Sequence, residues 1–230
     1  MVLASVIETL HRADQELTLA VNSLSWYWSD WFWTMLSDIK LWIPTYAICA
    51  IFLFIRLGWK KALIVLASAA LAFGICDQVS GVVKHAVSRL RPCYSFPMLE
   101  GGLNVLEKRG GFFGFFSAHA ANAFSLAMCL TIGFRNDNSH TYNAFFKWAL
   151  IWAFLVSISR VFVGKHYLGD IIVGLLIGMG TGFATGMTAR YLVQRFVDKV
   201  PFTGPTALIN KRISPKAPAE PSPSVSPSSL

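Results

Sequence analysis

The stretch SRVFVGKHYLGD, Ser159 to Asp170, gathers Arg160, Lys165, His166 and Asp170 between two long apolar runs. Two more polar clusters lie upstream, KHAVSRLRP (Lys84 to Pro92) and FSAHAANAF (Phe116 to Phe124). Arg offers a planar fork suited to phosphate oxygens and Lys a compact charge, so Lys84, Arg91 and Arg160 can hold an anion. Ser117, Ala118 and the N–H groups after them stand where a helix would begin, a natural anion site. His166 and Asp170 are four residues apart and share a face on a helical turn. A carboxylate holding one ring nitrogen leaves the other free as base or nucleophile. His119 is then left to donate a proton to a leaving group. A donor and a nucleophile flanking an anion cradle describe phosphoryl transfer. The cations can neutralise the equatorial oxygens, so the chemistry calls for no metal and no cofactor.

These residues need elements to position them, and the composition says which kind. Of 230 residues, 54% are hydrophobic and 14% charged, with a mean hydropathy of +0.52. A soluble domain carries about 25% charged residues. Apolar segments lie near 17–37, 41–57, 62–83, 117–134, 147–163 and 168–192, and a span needs about 20 such residues. The expected fold is all-α: an integral membrane six-helix bundle over 21–200, embedded in a lipid bilayer. An amphipathic helix over 1–20 should lie at a membrane face, because Glu8, His11, Arg12, Asp14 and Glu16 break any signal-peptide core. The first apolar segment, rich in Trp26, Trp28, Trp31 and Trp33, has an interfacial character. The Pro/Ser-rich tail over 201–230 should be disordered.

Charge sets the orientation. The net charge is +8, but it lies between apolar runs rather than on one basic face, so membrane topology explains it and nucleic acid is not an expected partner. Arg56, Lys60 and Lys61, then Arg135 and Lys147, then Arg190, Arg195, Lys199, Lys211 and Arg212 fall on one side of a six-span chain, with both termini. That side is expected to be the cytoplasm. Lys84, Arg89 and Arg91, with Arg160 and Lys165, fall on the outer side against the bias, and binding an anion would account for them.

Other features read as packing or as surface. Gly174, Gly178, Gly182 and Gly186 line one helix face and permit close approach. Cys49, Cys76, Cys93 and Cys129 show no metal or disulfide spacing. Asp77, two turns before Lys84, either orients that lysine or makes a helix–helix hydrogen bond. Glu100, Glu107, Lys108 and Arg109 read as solvated loop charge. His11, His85 and His140 read as polar anchors, and Phe112, Phe113, Phe115 and Phe116 as an interfacial belt.

Taken together, K-x6-RP (Lys84, Arg91, Pro92), SAH (Ser117 to His119) and SR-x5-H-x3-D (Ser159, Arg160, His166, Asp170) resemble the three signature motifs of the type 2 phosphatidic acid phosphatase superfamily. The order is that of the family, and the layout is similar to its membrane branch. The second motif departs from the family's Pro-Ser-Gly-His: Phe116 and Ala118 replace proline and glycine. Ala118 keeps its N–H and loses glycine's freedom at positive φ.

The resemblance implies a site at the outer membrane–water interface of a bacterial inner membrane. Lys84, Arg91 and Arg160 would hold phosphate, helped by Ser117 and the Ala118 N–H. His166, aligned by Asp170, would attack phosphorus to form a phosphohistidine. His119 would protonate the leaving oxygen and then activate water. Candidate substrates are the phosphates of lipid A, undecaprenyl diphosphate and phosphatidylglycerol phosphate, the first two favoured because an outward site meets both. A vanadium haloperoxidase-like enzyme and a non-catalytic lipid-binding or transport protein are the alternatives.

Overall fold

The computed structural model describes residues 2–204, and among these it is all helical, with seven α-helices and no strand. The tail expected to be disordered lies, from residue 205 on, outside the described residues.

Helix α1 (Val2–Asn22) is followed by a turn and by α2 (Tyr27–Ser37). On α1 the buried positions are polar, Thr18 and Asn22, while Val6, Ile7, Leu10 and Leu17 are exposed. Helix α2 has 11 residues and is about 16 Å long, half the hydrocarbon thickness of a bilayer. A 3₁₀ turn at Ile39–Trp42 leads into α3 (Ile43–Val87), which breaks at Gly58 (φ 73°, ψ 164°). Tyr46 and Phe73 line one cavity, yet on a straight helix they would stand about 40 Å apart. The chain therefore doubles back at Gly58, where a positive φ suits glycine.

Next come α4 (Phe96–Glu100), α5 (Ala118–Phe134), α6 (Asn143–Phe162) and α7 (Leu168–Leu192). Helix α5 is the centre of the bundle, packed by α3, α6 and α7. It is apolar nearly all round, as a fully enclosed helix must be. The glycine face of α7 rests on its backbone. A Cβ at Gly178 would lie 2.3 Å from the Ala121 carbonyl, and one at Gly182 2.3 Å from that of Ser125. Any side chain there would push α7 away.

Three stretches among the described residues are long and apolar enough to cross a membrane: Ile39–Val87, Asn143–Phe162 and Leu168–Asp198. Ala118–Phe134 is a shorter apolar helix. The segments at 17–37 and 41–57 do not form two separate long helices. Helix α2, the 3₁₀ turn and the first arm of α3 instead run on together along α6. Trp33 stacks on Phe162 (3.9 Å), Trp42 and Tyr46 meet Trp152, and Arg56 bonds the Tyr142 hydroxyl. Hydropathy alone could not place the break at Asp38.

Candidate functional site

The loop between α6 and α7 is held shut by the Arg160 carbonyl, which accepts N–H bonds from Lys165 (2.9 Å) and His166 (3.2 Å). His166 is 3% exposed and Asp170 is fully buried. The His166 Nδ1 lies 3.3 Å from Asp170 Oδ2. Asp170 stands at the third position of α7, where Oδ2 also accepts the Tyr167 N–H at 3.1 Å. Its other oxygen takes a bond from Arg89 Nη1 at 2.9 Å. The Asp170 carbonyl accepts the Ser117 N–H (3.1 Å), joining the first turns of α7 and α5. Burial drives the His166 pKa down to about 4, against the opposing pull of the Asp170 carboxylate. The imidazole is therefore neutral at physiological pH. With Nδ1 turned to Asp170, an assignment made from geometry, Nε2 keeps a free lone pair.

Beside this pair lies a cavity of about 300 Å³. Lys84, Arg91, Ala118, His119, Arg160 and His166 line it, together with other side chains that include Tyr46, Asp77 and Asn122. Lys84 makes no hydrogen bond or ion pair among the described residues. Arg91 spends its Nε on the Phe113 carbonyl (3.1 Å), leaving its terminal nitrogens for the cavity. Arg160 is 6% exposed; its Nη1 meets the Ser37 hydroxyl and both oxygens of Glu107 (3.3 Å each), and its Nε is buried without a partner. Among the described residues, no three His, Cys, Asp or Glu side chains group as metal ligands.

The structure thus brings the residues expected from the sequence to one place, with two refinements. Ser117 is fully buried as the N-cap of α5, accepting the Ala120 N–H (3.4 Å), and stands behind the cavity wall. Ala118 begins the helix, and the only non-glycine residues with positive φ among those described are Ser88 and Lys199. Alanine in place of the family's glycine therefore carries no strain here.

Other expectations are corrected. Glu107 is not a solvated loop charge, since it pairs with Arg160. Phe116 is buried against Cys76 and Ala121 and not part of a surface belt. His11 is no isolated anchor, as its Nδ1 lies 3.2 Å from Arg89 Nη2. Asp77 makes no helix–helix hydrogen bond among the described residues; it acts on Lys84 only through space.

Several positioning residues escaped sequence reading. Arg89 bridges Asp170 and Asp14 (Nη2 to Oδ2, 2.6 Å) and stacks 3.9 Å over the Tyr167 ring. Asp14 Oδ1 accepts the Gly169 N–H (2.8 Å) and Thr18 the Leu168 N–H (3.0 Å), so α1 supplies the cap of α7. Asn22 ties α1 to the carbonyls of Asn104, Val161 and Phe162. A Cβ on Gly114 would lie 3.0 Å from Arg91 Cγ and 3.3 Å from Asp170 Oδ2, so a side chain there would crowd the site. The available signal was the 11, 14, 18, 22 spacing on one face of α1.

The chain is 32% identical to the lipid A 4'-phosphatase of Bacteroides thetaiotaomicron over 205 residues, covering 86% of this chain and 87% of that protein. It is 31% identical to the lipid A 4'-phosphatase of Porphyromonas gingivalis, over 83% of this chain and 79% of that protein. Its fold is similar to the crystal structure of a transmembrane PAP2-type phosphatidylglycerolphosphate phosphatase from Bacillus subtilis (TM-score 0.63, 22% identity, 88% of this chain and 94% of that one). It is also similar to that of Aquifex aeolicus LpxE (TM-score 0.54, 21% identity, 74% and 92%). Residues 61–193 match the PAP2 superfamily, and with the motifs gathered around one cavity and relatives along most of its length, the chain belongs to that superfamily.

Proposed function

We propose that this membrane-lipid phosphatase removes a phosphate from lipid A, without metal, through a phosphohistidine on His166. The observation that carries the reading is the neutral, Asp170-held His166 on the same cation-lined cavity as His119. The relatives named as lipid A 4'-phosphatases support the substrate. Lys84, Arg91 and Arg160 hold the phosphate oxygens, and the Ala118 N–H at the start of α5 adds a donor. Ser117 shapes that helix start. The His166 Nε2 lone pair forms the N–P bond as the P–O bond to the sugar breaks. His119 gives its proton to the departing oxygen. It then takes a proton from water, whose oxygen attacks phosphorus; the N–P bond breaks and inorganic phosphate leaves.

The same reading sets the membrane arrangement. Arg56, Lys60, Lys61, Arg135, Lys147, Arg190 and Arg195 cluster at the bundle end away from the site, which makes that end cytoplasmic and the site periplasmic in a bacterial inner membrane. Six crossings with both ends of the chain inside would put α1 across the membrane from Gly169, to which Asp14 is bonded. Five crossings satisfy that bond: α2 with the first arm of α3, the second arm, α5, α6 and α7. Helix α1 then lies amphipathically on the outer face, Val6, Leu10 and Leu17 toward lipid.

Purified protein in detergent should release phosphate from lipid A in excess EDTA. Failure on lipid A alongside hydrolysis of undecaprenyl diphosphate or phosphatidylglycerol phosphate would remove the substrate. Restoration by Mg²⁺ or Zn²⁺ after EDTA would remove the metal-free mechanism. In cells, Glu8→Cys should react with a membrane-impermeant thiol reagent and Lys60→Cys should not; protection of Glu8→Cys would restore the six-span arrangement.

A further inference from the structure

The phosphate cradle occupies only part of the cavity. Asn122 and Asp77 also line it, and the chemistry above uses neither. Asn122 follows His119 by three residues, so it sits about 4.5 Å further along α5, on the same wall. It is 8% exposed, and its side-chain oxygen is buried with no hydrogen-bond partner among the described residues. A buried amide left unmatched is costly and calls for a partner. Asp77 precedes Lys84 by seven residues, two turns, and so faces the same cavity about 10 Å deeper along α3. Its side chain is exposed rather than buried, and it has no side-chain hydrogen bond or ion pair among the described residues. A carboxylate inside an apolar helix marks a functional position.

Both groups ask for the same thing. An ionised carboxylate only accepts hydrogen bonds, and the amide oxygen of Asn122 is the atom left without a donor. They lie on the membrane side of His119, where the atoms beyond the breaking P–O bond must go. A sugar leaving group brings hydroxyl and amide N–H donors to that place. A polyprenyl diphosphate brings no donor and sets a second anionic phosphate toward Asp77.

We propose that Asn122 and Asp77 form a headgroup subsite that selects phosphomonoesters whose leaving group carries hydroxyl or amide N–H donors and that rejects diphosphates. This rests on the phosphatase reading and extends it to a choice among lipids.

The test compares kcat/KM on lipid A, undecaprenyl diphosphate and a small aryl phosphate, for the wild type, Asn122→Leu and Asp77→Asn. The aryl phosphate reports phosphoryl transfer and folding alone, so the quantity read is the ratio of each lipid to it. Asn122→Leu should lower the lipid A ratio about ten- to hundredfold. Asp77→Asn should raise the undecaprenyl diphosphate ratio about tenfold, because a like charge is removed. Lipid ratios unchanged in both variants, or a wild type that prefers the diphosphate, would overturn the subsite and leave the phosphatase standing. A wild type that releases phosphate from none of the three substrates would overturn the phosphatase reading and the subsite with it.

Discussion

The two ends of the bundle treat charge in opposite ways. At the far end, Arg56, Lys61 and Arg190 are closed off. Arg56 pairs with Asp137 at 2.7 Å, with the Tyr142 hydroxyl on the same oxygen at 2.5 Å. Lys61 meets Asp198 at 2.7 Å, and Arg190 bonds the Thr203 hydroxyl at 2.7 Å. At the site end, Lys84 has no acid partner and Arg91 turns its free nitrogens to the cavity, while Arg160 lines the cavity although Glu107 holds one of its nitrogens. Arg89, a few residues from both Lys84 and Arg91, is instead bound by Asp14 and Asp170. Proximity to the site is therefore not what makes a cation a ligand. A cation enclosed by acids away from the cavity, as Arg89 is, holds structure; one that lines the cavity is available to an anion, even where an acid holds one nitrogen, as Glu107 does for Arg160.

That contrast can be broken by substitution. The largest effect belongs to His166→Ala, which should reduce turnover to background and abolish covalent phosphate labelling. His119→Ala should lower lipid turnover about 10²–10⁴-fold. With an aryl phosphate, whose leaving group needs little protonation, its phosphoenzyme should accumulate as an acid-labile label. Labelling kept in His166→Ala and lost in His119→Ala would exchange the two roles.

Asp14→Asn and Arg89→Lys come next. Each loosens the chain from α1 through Asp170 to His166, so kcat should fall about 10–100-fold with KM nearly unchanged. A rise in KM alone would make Arg89 a phosphate ligand and undo its contrast with Arg91.

The pH profile sharpens the same point. In the proposed mechanism His166 attacks in its neutral form, and its folded pKa lies near 4, below the ordinary 6.5. The ascending limb of kcat/KM due to this nucleophile should therefore sit near pH 4. A midpoint near 6.5 would mean that the ring is more solvated than the buried pair described.

The smallest effect on catalysis belongs to Asp137→Ala. Turnover should stay within about twofold, while the melting temperature falls by about 2–8 °C. Burial pushes the Asp137 carboxyl up, but bonds from Ser139, Tyr142 and Arg56 prevail and hold it well below the usual range. Its folded pKa is depressed, so its contribution is present above the unfolded value and is lost as pH falls below it. The gap in melting temperature between wild type and variant should accordingly narrow in acid.

Much of this was legible in the sequence. Motif spacing picked out His166, Asp170, His119, Lys84, Arg91 and Arg160, which the fold brings together, because each motif is local and its residue types are those phosphoryl transfer would call for. The glycine repeat on α7 announced a close helix contact, since only a bare backbone allows one. Composition declared a membrane protein, because lipid tolerates few charges.

Other features depended on partners far apart in the chain. The motif singles out Arg91, but nothing local says what Arg89 does; Asp14 and Asp170, at 75 and 81 residues' separation, decide it. Glu107 is a loop acid until Arg160 meets it across 53 residues. Apolar runs gave six segments, but the turns after Asn22 and at Asp38 break the first two into α1, α2 and the first arm of α3. Residue types and short spacings determined which chemistry this chain can do. Which charges are spent on holding the fold, and which remain for a substrate, was decided only when the tertiary structure brought distant partners within bonding range, because electrostatic pairing acts through space and not along the chain.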